Sequence, residues 1–179
     1  ILIVHSQFLE IGGAEKSILG LYEELKKRFE CELLYEFWRE HEEKDYFLRS
    51  KVWKVVSLIY RFPKMLFSKG VRKKILENDV IIISITGNLV TAPLNWACLI
   101  LSKVYKKKTI VYIHEPLLVF WSLTKIENII LSPLRYFDVF LFKLFKPNII
   151  ISNSDFSKEI VMKNYKVNNV KVIYPLFHL

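Results

Sequence analysis

Residues 1–29 read ILIVHSQFLEIGGAEKSILGLYEELKKRF and combine an apolar run, a pair of glycines and an amphipathic pattern. The run Ile1–His5 is short and rich in Ile and Val, which is typical of a strand buried on both faces. From Ala14 to Phe29, apolar residues recur every three or four positions between charged ones, so the spacing predicts a helix over 14–29. A strand followed by a helix is the first half of a βαβ unit in a parallel sheet.

The same alternation continues along the rest of the chain. Together with the first run, five more short apolar runs predict six strands: Ile1–His5, Glu32–Phe37, Val80–Ile85, Thr109–His114, Asn148–Ser152 and Val170–Tyr174. A second helix is expected to begin at Pro93 and to end at about Tyr105. A third is expected to begin near Ser154, whose hydroxyl can cap it, and to end around Tyr165. This order predicts an α/β fold, an open parallel sheet with helices on both faces.

Length and composition exclude several classes of protein. The chain has 179 residues, of which 52% are hydrophobic, so it fits one domain with a packed core and excludes a disordered chain. No apolar run reaches the about 18 residues of a membrane span, since charged residues and Pro133 interrupt the longest candidate. Cys31 and Cys98 are far apart in apolar surroundings, which favours two buried free thiols over a disulfide. The four histidines are scattered without metal-ligand spacing, so no metal site is predicted.

The net charge of +9 is unevenly distributed. Residues 1–50 hold 7 basic and 11 acidic side chains, whereas residues 51–179 hold 20 basic and 7 acidic ones. The densest basic run lies in a predicted helical insertion at about 51–77, where eight Lys or Arg residues alternate with apolar ones before the first acid. This pattern is typical of a helix on an anionic membrane, and equally of a helix packed on the domain with a basic outer face. Nothing resembles a nucleic-acid-binding motif, so no nucleic acid partner is predicted. The residues expected to contact a membrane or an acceptor are Lys51, Trp53, Lys54, Arg61, Lys64, Lys69, Arg72 and Lys73.

The turn before the first helix is a candidate binding site. Gly12 and Gly13 permit a positive φ and a close approach of the backbone to a ligand. The helix that follows offers unpaired N–H groups and the positive end of its dipole to a phosphate. Gly12, Gly13 and Glu15 are therefore candidates for binding substrate or donor phosphate, although a purely structural turn is an open alternative.

Two further candidate sites follow later strands. His114 and Glu115 come at the end of a predicted strand, where ligands bind in open α/β sheets, and they are the candidate catalytic residues. The other interpretations are a histidine that caps its own loop and a surface glutamate. Asn153 and Ser154 follow the next strand and are candidates for contact with the substrate or the donor phosphate, while a serine at this position also suits a helix cap.

Four motifs occur in an order that resembles a known family. They are the strand–Gly-Gly-Ala-Glu–helix opening, His114-Glu115-Pro116, Ile151-Ser152-Asn153-Ser154-x-Phe156-Ser157 and Val172-Ile173-Tyr174-Pro175. This order resembles the glycosyltransferases of family 4, which have the GT-B fold, over nearly the whole chain apart from residues 38–77. The last three motifs are similar to those of mannosyltransferases that elongate dolichol-linked oligosaccharides.

The resemblance implies a Rossmann-like domain that forms one half of a two-domain enzyme. In such enzymes the amino-terminal half mainly binds the acceptor, and the other half binds most of the nucleotide sugar. Gly12 and Gly13 would approach the donor diphosphate and the reacting sugar, and His114 would contact the donor sugar near its anomeric carbon. The family retains the anomeric configuration, needs no metal, and stabilises the leaving diphosphate with basic side chains of the other half. Glu115 matches no settled role in the family.

We therefore expect residues 1–179 to be the amino-terminal, acceptor-binding domain of a retaining glycosyltransferase. The chain begins inside an apolar run and stops soon after Pro175, so the nucleotide-sugar domain is expected to be absent from it and the chain alone to be inactive. The full protein would transfer a hexose such as mannose from a nucleotide sugar to a lipid-linked or surface-glycan acceptor, as a peripheral protein at the cytoplasmic face of the membrane. No cofactor is expected. The alternative function is a non-catalytic α/β module that binds a phosphorylated ligand or an anionic membrane.

Overall fold

The elements of the fold alternate between strands and helices, as the sequence predicts. The computed structural model describes residues 1–8, 12–35, 37–38, 60–85, 92–114, 136 and 139–175. In chain order its elements are β1 (Leu2–His5), β2 (Gln7–Phe8), α1 (Gly13–Lys26), β3 (Glu32–Leu34), β4 (Phe37–Trp38), α2 (Lys69–Glu77), β5 (Val80–Ile85), α3 (Pro93–Val104), β6 (Lys108–Ile113), β7 (Ile149–Ser152), α4 (Asp155–Tyr165) and β8 (Val170–Val172). Residues 60–67 and 139–144 are also helical.

Six strands form one parallel sheet in the order β3-β1-β5-β6-β7-β8. Each contains or overlaps one of the six predicted strands, so the predicted sheet is confirmed. Within this sheet the chain first moves from β1 to β3 on one side, and the strands β5 to β8 are then added on the other side of β1. The direction therefore reverses between β1 and β5, and the crevice at their carboxyl ends is the usual place for a ligand in such a sheet.

Helices cover both faces of the sheet, as predicted. On one face, strand residues such as Val4 and Ile83 form a core with α2, α3, α4 and residues 139–145. On the other face, Ile3 and Ile82 pack under Ile18 of α1. The connection from β1 to β3 runs opposite to the others, and a right-handed crossover then puts its helix on the opposite face. The result is a Rossmann-like α/β domain, consistent with one half of a GT-B fold.

Two predicted elements differ in detail from the structure. The predicted strand Glu32–Phe37 ends at Leu34 in the main sheet, and Phe37–Trp38 pairs instead with Gln7–Phe8 in a separate two-stranded parallel sheet. Strands of two residues show no detectable periodicity, which is why this pairing was not predicted. Helix α1 ends at Lys26 and not at Phe29, because the Phe29 side chain is exposed and no packing extends the helix that far.

The described part of the basic insertion is helical and packs on the domain. Ser68 caps α2 by accepting the N–H of Val71, and one face of α2 buries Val71 and Ile75 in the core. Lys69 and Lys73 lie on its exposed face. Residues 51–59 lie outside the described residues.

The cysteines and helix lengths bear on two other predictions. Cys31 and Cys98 are both free thiols, as predicted, but only Cys98 is fully buried. Burial raises the pKa of the Cys98 thiol far above its usual range, so the thiol stays protonated. No helix within the described ranges is both long enough and apolar enough to cross a membrane.

Candidate functional site

A cluster of polar side chains lies at the carboxyl edge of the sheet, on the face covered by α1. It consists of His5, Glu15, Ser84, Tyr112 and His114, and is called the edge cluster below. His5 ends β1 opposite Ser84 of β5, and Ser84 lies opposite Tyr112 of β6. His114 follows β6 directly, and Glu15 lies in the first turn of α1. The parallel strands and the reversal between β1 and β5 therefore bring these residues together.

His5 links two elements within this cluster. It is fully buried, and its Nδ1 lies 2.9 Å from the Ser84 hydroxyl, while its Nε2 lies 3.4 Å from Oε1 of Glu15. A carboxylate only accepts hydrogen bonds, so the Nε2 that faces Glu15 carries a proton, while Nδ1 shares a hydrogen bond with the Ser84 hydroxyl. At 3.4 Å, the contact with Glu15 is longer than an ordinary hydrogen bond.

The carboxylate of Glu15 has a second partner in the protein. Its Oε2 accepts the backbone N–H of Gly12 at 3.1 Å, half of a capping box at the start of α1. Burial raises the pKa of Glu15, but the contact with His5 and the backbone N–H groups of Glu15 and Gly12 outweigh it and hold that pKa below its usual value. Glu15 is therefore ionised at neutral pH and stabilises the positive end of the α1 dipole.

His114 is buried beside Tyr112, with the two ring centroids 4.1 Å apart. Its Nε2 has no hydrogen-bond partner among the residues that the structure describes. Burial is the main cause that lowers the pKa of His114 to about 4; the charge interaction with His5 acts in the same direction, and that with Glu15 opposes it. The ring is therefore neutral at pH 7. A neutral imidazole can hydrogen-bond an uncharged hydroxyl, but it is not a ready proton donor at that pH.

Two side-chain amides, the buried one of Asn95 and the partly buried one of Asn153, hold the strand ends that carry this cluster. Nδ2 of Asn153 donates to the backbone carbonyl of His114 at 2.6 Å. Nδ2 of Asn95, in the first turn of α3, donates to the backbone carbonyl of Ser84. Both bonds cross between elements, so they fix the backbone from which the Ser84 and His114 side chains project.

Neither Gly12 nor Gly13 uses the positive φ that glycine permits. Gly12 has a φ of −83°, and a Cβ there would lie 2.9 Å from Oε2 of Glu15. A glycine at position 12 therefore makes room for the Glu15 carboxylate. At Gly13 a Cβ would meet no atom of the described residues within 4 Å, so the described part of the fold leaves space beside this position.

Asn153 and Ser154 each have a structural partner in the fold. Ser154 caps α4, since its Oγ accepts the N–H of Ser157 at 3.1 Å, as predicted for that helix. The amide of Asn153 is engaged with His114. Contact of either residue with a donor phosphate stays a prediction, as does the role of Glu115, which lies outside the described residues.

The predicted basic contact residues lie elsewhere, on the α2 side of the sheet. Lys64, Lys69 and Lys73 are exposed, whereas Nε of Arg72 donates to the backbone carbonyl of Leu66 at 3.1 Å. Arg72 therefore joins α2 to the helical residues 60–67. Arg61 is one of those residues, and its side chain is half-buried. The other three predicted residues, Lys51, Trp53 and Lys54, lie outside the described ranges.

Sequence reasoning missed three members of the edge cluster. His5 and Ser84 lie at the carboxyl ends of two correctly predicted strands, and this position is the signal that would have found them. Tyr112 lies at the equivalent position of β6, and its hydroxyl donates across the sheet to the carbonyl of Ile173 at 3.1 Å, a contact that no local pattern encodes. Within the described ranges, no three His, Cys, Asp or Glu side chains are grouped to hold a metal ion.

Comparisons with known proteins bear on the family of the chain. No curated protein matches the chain significantly. Residues 11–178 match the model of the family described as Glycosyltransferase Family 4. This match covers most of the chain and agrees with the Rossmann-like sheet. The chain therefore belongs to glycosyltransferase family 4.

Proposed function

We propose that the chain is the acceptor-binding half of a retaining hexosyltransferase of the GT-B type, which transfers a hexose such as mannose from a nucleotide sugar. The observation that carries this proposal is the edge cluster, where the neutral, buried His114 ring leaves Nε2 without a partner among the described residues. A neutral ring of this kind suits an uncharged sugar hydroxyl, since a charged imidazole would instead favour an anion.

The donor diphosphate would approach the first turn of α1. The N–H of Gly12 is already bound to Glu15, so a phosphate would use the next N–H groups, at Gly13 and Ala14, which have no acceptor within the helix. The open space at Gly13 allows this approach. The ionised Glu15 would repel a phosphate, so in this proposal Glu15 shapes the turn and does not itself bind the donor.

The edge cluster contains no lysine or arginine to stabilise a leaving diphosphate. Stabilisation of developing charge is usually the largest catalytic contribution, so a second, nucleotide-sugar-binding half would have to supply it. No metal or cofactor is needed in this scheme. His114 would position the sugar, and the hexose would be transferred between the two halves.

The acceptor in this proposal is a lipid-linked or surface glycan, bound at the cytoplasmic face of a membrane. Residues 60–77 carry six basic residues and one acidic residue. Tyr60 and Phe67 are 70% and 66% exposed among them. Basic side chains interleaved with exposed aromatic rings favour adsorption to anionic lipid without a membrane span.

A donor screen tests the proposed activity. The chain alone is expected to give no hexose transfer from any nucleotide sugar. A polypeptide that joins it to a nucleotide-sugar-binding half should transfer hexose to a lipid-linked acceptor with the anomeric configuration retained. Transfer by the chain alone would contradict the half-site proposal. Binding of a phosphorylated ligand without transfer by the joined polypeptide would favour a non-catalytic binding module.

Vesicle sedimentation tests the membrane contact separately. Replacing Lys64, Lys69 and Lys73 with glutamate should weaken binding to phosphatidylserine-containing vesicles at least about tenfold, since each basic residue near such a surface contributes about 1 kcal/mol. Arg72 is left unchanged because it holds α2 to residues 60–67. The control changes three exposed lysines elsewhere, Lys163, Lys166 and Lys171, to glutamate. Equal weakening by both triple variants would show that net charge alone matters and would remove α2 as the docking surface.

A further inference from the structure

We propose that His5 is a positioning residue, which ties the ends of β1 and β5 to the first turn of α1 and thereby holds the Gly12–Gly13 turn and the His114 ring in one arrangement. His5 does not touch the sugar in this proposal. Its effect on sugar transfer rests on the proposed function, whereas its effect on His114 and on the turn does not.

The contacts form a continuous series that runs from one element to the next. Ser84 of β5 bonds Nδ1 of His5, and the other ring nitrogen faces Oε1 of Glu15. The second oxygen of Glu15 then holds the N–H of Gly12. A buried imidazole therefore links the β5 strand to the backbone turn where a donor would bind, across 79 positions of sequence between His5 and Ser84.

Burial makes this series of contacts rigid. His5 and Ser84 are fully buried, and Asn95 holds the Ser84 backbone from α3. Loss of one partner would leave a buried polar group unsatisfied, which drives the remaining side chains to reorient. A positioning role thus predicts that removal of the distant Ser84 hydroxyl is felt at Gly12 and at His114.

Groups from three elements interact with His114. His5 comes from β1 and Glu15 from α1, while Tyr112 of β6 packs against the ring with a neutral hydroxyl, since burial raises its pKa. His5 and Glu15 act on His114 with opposite electrostatic sign. Removal of His5 and removal of Glu15 should therefore shift the pKa of His114 in opposite directions.

The experiment is an NMR pH titration of the imidazole signals in this chain, together with the amide signals of Gly12 and Gly13. Glu15→Gln should lower the pKa of His114, and His5→Gln should raise it while leaving it below the ordinary histidine value, because burial remains. Ser84→Ala introduces no charge, yet it should shift the Gly12 and Gly13 amide signals and change the His114 pKa. Ser84→Thr keeps a hydroxyl and should restore both.

The matched control is Ser102→Ala, which removes another buried serine hydroxyl, one that donates to the carbonyl of Cys98 within α3. It should leave the Gly12, Gly13 and His114 signals as in the wild type. If Ser84→Ala behaves like this control, His5 is not a positioning residue. Because these readouts need no enzyme activity, they stand even if the donor screen finds no transfer. If transfer is found, Ser84→Ala should lower kcat more than it raises KM, and equal kcat values for Ser84→Ala and the wild type would also contradict the proposal.

Discussion

Replacing Phe142 with alanine is expected to lower the free energy of unfolding by about 3–5 kcal/mol, the usual loss for a buried phenylalanine. Phe142 is fully buried in the helical residues 139–144. Its ring meets Trp96 of α3 edge-on at a centroid distance of 6.5 Å and lies 4.3 Å from the ring of Tyr165 of α4. The three rings join three helical segments on one face of the sheet. Alanine would therefore open a cavity between these segments, and the segments could not easily move together to fill it.

The matched control is Phe140, two residues earlier in the same helical segment and 56% exposed. Phe140→Ala should cost less than about 1 kcal/mol, because little apolar surface leaves water at that position. Urea unfolding followed by circular dichroism at pH 7 measures both changes. Equal losses at the two positions would contradict the assignment of Phe142 to the core.

The second large effect is a loss of stability on acidification. The folded state holds the pKa of His114 near 4, whereas the unfolded chain has the ordinary value of about 6.5. Below pH 6.5 the unfolded state therefore binds more protons than the folded state, and stability rises with pH across this interval. The contribution of His114 to the free energy of unfolding is fully present above pH 6.5 and falls as the pH drops. At pH 4 the loss from this group is about 3 kcal/mol.

The variant His114→Gln isolates this contribution, since glutamine does not titrate. Glu15 and Glu32 have lowered pKa values and also destabilise the fold in acid, but their effect begins near pH 4.5, below most of the His114 interval. The free energy of unfolding between pH 7 and pH 5 should therefore fall in the wild type and stay nearly flat in His114→Gln. Parallel slopes for the two proteins would mean that His114 titrates normally and is not buried as described.

The main sheet could be predicted from the sequence because each of its strands is a short run rich in Ile or Val. Residues 80–85 fill both faces of the sheet with alternate side chains, and such a run leaves few other structures possible. The helix at Lys69–Glu77 was harder to assign, because Pro63 interrupts the pattern and only two of its residues, Val71 and Ile75, are buried. An amphipathic helix that packs on the domain has the same sequence pattern as one that lies on a membrane. Only the burial of its residues distinguishes the two.

The candidate site was predictable only in part. His114 follows a recognisable strand, and its position at the sheet edge pointed to a ligand crevice. The contact between His5 and Ser84 depends on the register of β1 against β5, which no local pattern encodes. The function of Gly12 was also hidden, since the need for space beside Glu15 is known only from three-dimensional contacts, whereas the cap of α4 by Ser154 was predictable from the sequence.

Hexose transfer measured with His114→Ala tests the central claim most directly. The assay uses a polypeptide that joins the chain to a nucleotide-sugar-binding half, the nucleotide sugar found in the donor screen and a lipid-linked acceptor. The wild type and Ser102→Ala should transfer hexose at similar rates. His114→Ala should lower kcat/KM about 100-fold, since a misplaced sugar costs about that factor. Transfer by His114→Ala at the wild-type rate would contradict the claim that the edge cluster is the sugar site.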